Sequence, residues 1–127
     1  MKVRWTRGSL RLRITPTELE SLRLGKVTWE ELSLPGGCVW RVEIQVSPAE
    51  TSLMSKGITA CLRLSEDDRD RLIVPQTEGV YFQSDTGFRY FVEKDFPCVH
   101  PRGAETLEPA TETFTAPAGF SMRKEEE

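Results

Sequence analysis

The sequence predicts an α+β domain made from a duplicated ββαββ unit. About eight strands would form one antiparallel sheet or partial barrel, with two short helices on one face. Three observations carry this expectation: strict alternation of apolar and polar residues in three segments, two helix starts with matching caps, and a self-similarity at an offset of fifty residues.

The alternation comes first. Leu10, Leu12 and Ile14 share one face of a strand, with Arg11 and Arg13 on the other. Trp40, Val42, Ile44 and Val46 oppose Arg41, Glu43 and Gln45, and Ala60, Leu62 and Leu64 oppose Cys61 and Arg63. A period of two places successive side chains on opposite faces, so each segment buries one face and leaves a polar one. Shorter strands are expected at 2–6, 27–34, 51–55, 78–83 and 87–94, with turns at Arg7-Gly8, Pro35-Gly36-Gly37, Lys56-Gly57 and Ser84-Asp85-Thr86-Gly87.

The helices follow from their termini. Thr15, Pro16 and Glu18 form a capping box, in which two side chains satisfy amide donors that the first turn would otherwise orphan. Gly25 ends that helix, because Gly enters the left-handed conformation at little cost. Ser65 and Asp68 repeat the start, acidic residues precede Arg69 and Arg71 as the helix dipole favours, and Pro75 marks the exit. At the offset of fifty, Leu12, Arg13, Leu22, Gly37, Val42 and Glu43 meet Leu62, Arg63, Leu72, Gly87, Val92 and Glu93. The halves are expected at about 1–48 and 49–97 of a single domain over 1–103. Residues 104–127, rich in Pro, Thr, Ala and Glu, are expected to form an irregular or disordered tail, with Phe114 and Phe120 as local anchors.

Charge and composition bound the function. The formal charge is −3. Residues 1–100 carry 14 basic and 14 acidic side chains, and the excess of acid lies in 101–127. A neutral body argues against broad nucleic-acid affinity, which needs a cationic surface. No apolar run has membrane length and no signal-peptide pattern opens the chain, so a cytoplasmic protein is expected. Cys38, Cys61 and Cys98 lack paired spacing, which points to reduced thiols rather than a disulfide or zinc site. Cys98 and His100 lack a visible orienting group or oxyanion site, so no catalytic residue, metal or cofactor is expected. Phosphate-binding glycine motifs are absent.

What remains is the polar strand face. Arg11, Arg13, Arg41, Arg63, Glu43 and Glu93 alternate with apolar residues, and Arg13/Arg63 and Glu43/Glu93 are duplicated pairs. On a curved sheet with helices outside, these residues would gather in a groove suited to phosphate or carboxylate, since the guanidinium fork donates two parallel hydrogen bonds. On a flat face they would pair with one another.

Ser9-Leu10-Arg11-Leu12-Arg13-Ile14-Thr15 with Glu18, and Val92-Glu93-Lys94-Asp95-Phe96 with Cys98, His100 and Arg102, resemble a family of small bacterial proteins known as a domain of unknown function. The resemblance covers most of residues 1–102 and implies no activity. By fold analogy the arrangement is also similar to triphosphate-tunnel enzymes, eight-stranded antiparallel barrels with charged residues inside. Their N-terminal Glu-x-Glu-x-Lys motif is replaced here by Lys2-Val3-Arg4-Trp5-Thr6. The expected function is therefore a non-catalytic binding or interaction module, with a homodimer through an exposed strand edge as one mode. The alternative is binding or hydrolysis of a small phosphorylated anion in a charged sheet cavity.

Overall fold

The computed structural model describes residues 1–96 together with 114, 115 and 117. Cys98, His100, Phe120 and most of the tail expected over 104–127 lie outside the described residues. In chain order the elements are β1 (Lys2–Thr6), β2 (Ser9–Ile14), α1 (Pro16–Arg23), β3 (Thr28–Ser33), β4 (Val39–Ser47), β5 (Ser52–Lys56), β6 (Thr59–Ser65), α2 (Glu66–Ile73), β7 (Gly79–Gln83) and β8 (Arg89–Lys94). The class is α+β, and ββαββ occurs twice.

The helix starts form as their sequences dictate. Glu18 N donates to Thr15 Oγ1 at 3.2 Å and Thr15 N to Glu18 Oε1 at 2.9 Å, closing the capping box. At α2, Asp68 N donates to Ser65 Oγ at 3.1 Å, while Ser65 N turns instead to Thr51 Oγ1 at 2.8 Å. Leu22 and Leu72, fifty residues apart, each bury completely beneath their helices.

The sheets depart from the expectation of one antiparallel layer. Among the described residues there are two four-stranded sheets, ordered β1-β2-β8-β7 and β3-β4-β6-β5. Hairpin pairs within each are antiparallel, but the central joints β2–β8 and β4–β6 are parallel. Alternation decides which face of a strand is buried; it carries no information about which distant strand it meets. The helices connect strands in different sheets, so each half contributes one hairpin to each sheet and the halves interlock.

The hairpin registers repeat at the fifty-residue offset. Val3 faces Leu12 as Leu53 faces Leu62, and Trp29 faces Glu43 as Gly79 faces Glu93. The parallel joints are slipped by two residues relative to each other: Arg41 aligns with Thr59, but Arg89 rather than Phe91 aligns with Ser9. A slip of two preserves which side chains point inward.

Both inner faces share one core. Leu10, Leu12, Ile14, Val80, Tyr90 and Val92 come from the first sheet, and Val42, Ile44, Leu62 and Leu64 from the second, joined by Leu22 and Leu72. The remaining alternate side chains therefore face outward on two separate sheet surfaces. At the edge of the core, buried Lys94 donates to Val74 O, at the C-terminal end of α2, at 2.8 Å. Burial lowers the Lys94 pKa. Phe114 docks beside it, its N–H on Asp95 O at 2.8 Å and its ring 5.9 Å from that of Phe96.

Candidate functional site, a basic sheet face

The outer face of the first sheet is a grid of side chains set by register. One row across the four strands holds Arg4, Arg11, Phe91 and Tyr81. The next holds Lys2, Arg13, Glu93 and Gly79, and the row on the other side holds Thr6, Ser9, Arg89 and Gln83. Rows are spaced by two residues, about 7 Å. The grid carries five cations (Lys2, Arg4, Arg11, Arg13, Arg89) and one carboxylate, Glu93. Lys2 is taken up by Asp95 at the sheet end, Nζ to Oδ2 being 3.0 Å.

Glu93 is the organising anion. Its Oε1 lies 3.1 Å from Arg11 Nε and 3.9 Å from Arg13 Nε, and its Oε2 accepts the Tyr81 hydroxyl at 3.1 Å. Arg11 Nε and Glu93 Oε1 are both shielded from water and meet at an angle that makes no hydrogen bond. Charge rather than directionality therefore holds this contact. The Arg11 guanidinium lies 5.5 Å from the Phe91 ring centre, a distance at which the ring's negative face attracts a cation. Tyr81 and Phe91 are tilted neighbours at 5.4 Å. Gly79 makes room for Glu93: a Cβ there would sit 2.8 Å from Val92 O and 2.9 Å from Glu93 Cγ. Arg4 and Arg89 are exposed and make no side-chain ion pair or hydrogen bond with the described residues.

Burial, then the Glu93 carboxylate, pushes the Tyr81 phenol up to about 12 from 10.0. The chain's other tyrosine, Tyr90, is also raised, chiefly by burial. A phenol whose pKa is higher in the folded state contributes stability that is intact below 10 and is lost as pH rises from 10 through about 12. Absorbance titration of the phenolates should thus show no ordinary tyrosine. Glu93→Gln should move the Tyr81 step downward and leave the Tyr90 step in place; two unmoved steps would deny the Tyr81–Glu93 coupling.

The outer face of the second sheet is built differently. Arg41 Nε bonds Glu43 Oε2 at 2.6 Å, its Nη1 lies 3.6 Å from Glu31 Oε2, and its guanidinium stacks 4.1 Å from the Trp29 ring centre. Gln45 Nε2 donates to Glu43 Oε1 at 3.2 Å. Arg63 and Lys56 are exposed on this face, beside Cys61 and Met54. Three cations therefore stand against two carboxylates, a nearly balanced surface.

The six charged residues singled out by sequence thus divide. Arg11, Arg13 and Glu93 come together on the first sheet; Arg41, Glu43 and Arg63 lie on the second, facing away from the core in the opposite sense. The parity argument holds within each sheet, while the two sets do not meet in one groove. Arg4, Arg89, Tyr81 and Phe91 were not among the six. Their positions alternate with Val3, Trp5, Val80, Tyr90 and Val92, so the parity signal was present in short strands whose partners were unknown. Cys38 is exposed and Cys61 half-buried, both as free thiols. Among the described residues no three His, Cys, Asp or Glu side chains converge as metal ligands. No helix among them is long and apolar enough to cross a membrane.

Residues 1–118 match the model of a family of unknown function, DUF7009. The chain belongs to this family. The DUF7009 match takes in both sheets, both helices and the segment containing Phe114, and so extends beyond the stretch over 1–102 that carries the sequence resemblance. No curated protein and no solved structure matches the chain.

Proposed function

We propose that the domain is a non-catalytic binding module whose recognition surface is the outer face of the first sheet, and that it takes an anionic group there. The observation behind this reading is that the cations of this face have no counterparts at the matching positions of the other half. At the fifty-residue offset, Lys2, Arg4, Arg11 and Arg89 correspond to Ser52, Met54, Cys61 and Val39. The hairpin registers are the same in both sheets, so the framework does not require cations at these places. Asp95 offsets Lys2, and Glu93 is shared by Arg11 and Arg13. Five cations against two carboxylates leave the face with excess positive charge, and an anion that relieves it is favoured there. Arg4 and Arg89, free of protein partners among the described residues, are positioned to donate paired hydrogen bonds to a phosphate or carboxylate.

The test is thermal unfolding with tripolyphosphate as the probe. Ligand at about a hundred times its Kd stabilises by about 2.7 kcal/mol, enough for a melting shift of several degrees. Arg4→Gln with Arg89→Gln should abolish most of that shift, and Arg63→Gln on the other sheet should leave it intact. No shift in the wild-type chain, or an equal loss with Arg63→Gln, refutes the reading.

A further inference from the structure

We propose that the same face binds single-stranded nucleic acid, with bases on Tyr81 and Phe91 and phosphates on Arg4, Arg11, Arg13 and Arg89. This rests on the anion-binding reading above and adds the identity of the anion. The argument comes from the row Arg4–Arg11–Phe91–Tyr81. A small inorganic anion needs only the cations. Two adjacent aromatic rings on a solvent-facing sheet, in line with two arginines, supply what a polymer of phosphates and flat bases needs. Stacking tolerates any base, because every base has a π-face, and the cationic strip follows the backbone.

Tyr81 is 55% exposed although Phe91 and Arg11 beside it in the row are half-buried, which leaves its ring open to a partner. Its hydroxyl is held by Glu93 and its ring abuts Phe91, so the platform is fixed before a ligand arrives. The second sheet offers the contrast. Its exposed indole, Trp29, is covered more closely, by the Arg41 guanidinium at 4.1 Å against 5.5 Å between Arg11 and Phe91, and Glu31 and Glu43 flank that arginine. The neutral total of residues 1–100 arises from such balanced regions; it conceals a first sheet whose outer face is distinctly cationic. Counterion release depends on the charges the ligand meets, not on the total.

The experiment is fluorescence anisotropy with a labelled oligothymidylate of about ten nucleotides, in low salt, on the full chain. The wild-type chain should bind with a log–log salt slope of about −2 to −3, corresponding to three or four phosphates on a single strand. Tyr81→Leu and Phe91→Leu should each weaken oligonucleotide binding about tenfold, the worth of one stacked base, while tripolyphosphate binding stays unchanged. Arg4→Gln with Arg89→Gln should weaken both ligands, and Trp29→Leu neither. If Phe91→Leu fails to fold, the exposed Tyr81 decides alone. Oligonucleotide binding that ignores Tyr81, or that is no tighter than tripolyphosphate binding, overturns the nucleic-acid inference and leaves the anion reading standing. Poly-glutamate binding tighter than oligonucleotide binding at equal charge overturns it in favour of an acidic protein segment. Failure of the wild-type chain to bind any of the three removes both.

Discussion

Glu93→Gln should lower the stability of the domain and raise its affinity for polyanions at the same time. Among the described residues Glu93 is the one carboxylate in the three rows of the first sheet's outer grid, and it faces two guanidiniums and a phenol. The glutamine keeps the shape and loses the charge. Arg11 Nε, already shut away from water, then has no counter-charge, and Arg11 and Arg13 repel each other two residues apart on one strand. Leaving such a group uncompensated costs about 1–3 kcal/mol. The same change removes the intramolecular competitor for incoming phosphate and frees two arginines to bind it. A gain of about tenfold in affinity, equivalent to about 1.4 kcal/mol, is the expected scale. Urea unfolding measures the first effect and titration with tripolyphosphate the second. Opposite signs identify Glu93 as a competitor of the ligand. If affinity falls along with stability, Glu93 instead holds the arginines in their binding geometry, and its role is positioning.

The parts of this molecule that could be read from sequence are those whose causes are local. Thr15 with Glu18 and Ser65 with Asp68 fix the helix starts through contacts three residues apart, and both starts occur where the caps place them. Alternation from Leu10 to Ile14 and from Val42 to Val46 correctly separates inward from outward side chains. Sheet partnering had no such signal. Strand β2 meets β8 at a separation of eighty residues, and nothing in Ser9–Ile14 names its partner. For the same reason the duplicated glutamates looked equivalent. The two-residue slip between the parallel joints sets Glu93 beside Arg13 but Glu43 beside Cys61, and so gives them different partners. The basic face was hidden by the same limit: Arg4 and Arg89 belong to opposite ends of the described chain and share a surface only through that joint.

The interlocking of the halves leads to the largest expected effect. Separated chains of residues 1–48 and 49–96 should each be mostly unfolded when dilute, and should regain native structure when mixed. The core residues divide evenly, with Leu10, Leu12, Ile14, Leu22, Val42 and Ile44 in the first half and Leu62, Leu64, Leu72, Val80, Tyr90 and Val92 in the second. In either half alone, its two hairpins belong to different sheets and each has lost its central neighbour. Every central strand then presents an unpaired edge, and the apolar faces have nothing opposite them. A two-stranded hairpin is marginal at best in water, and a chain near fifty residues buries too little surface to compensate. Mixing restores both parallel joints at once, so recovery should be cooperative and depend on concentration. The first half alone at high concentration has one further route: β2 of one copy can pair with β4 of another, rebuilding both sheets as a symmetric dimer. Circular dichroism with size-exclusion chromatography follows all of these states. A half that folds as a monomer, with amide protection equal to that in the whole chain, would show that the ββαββ unit is self-sufficient and that the parallel joints contribute little to its stability.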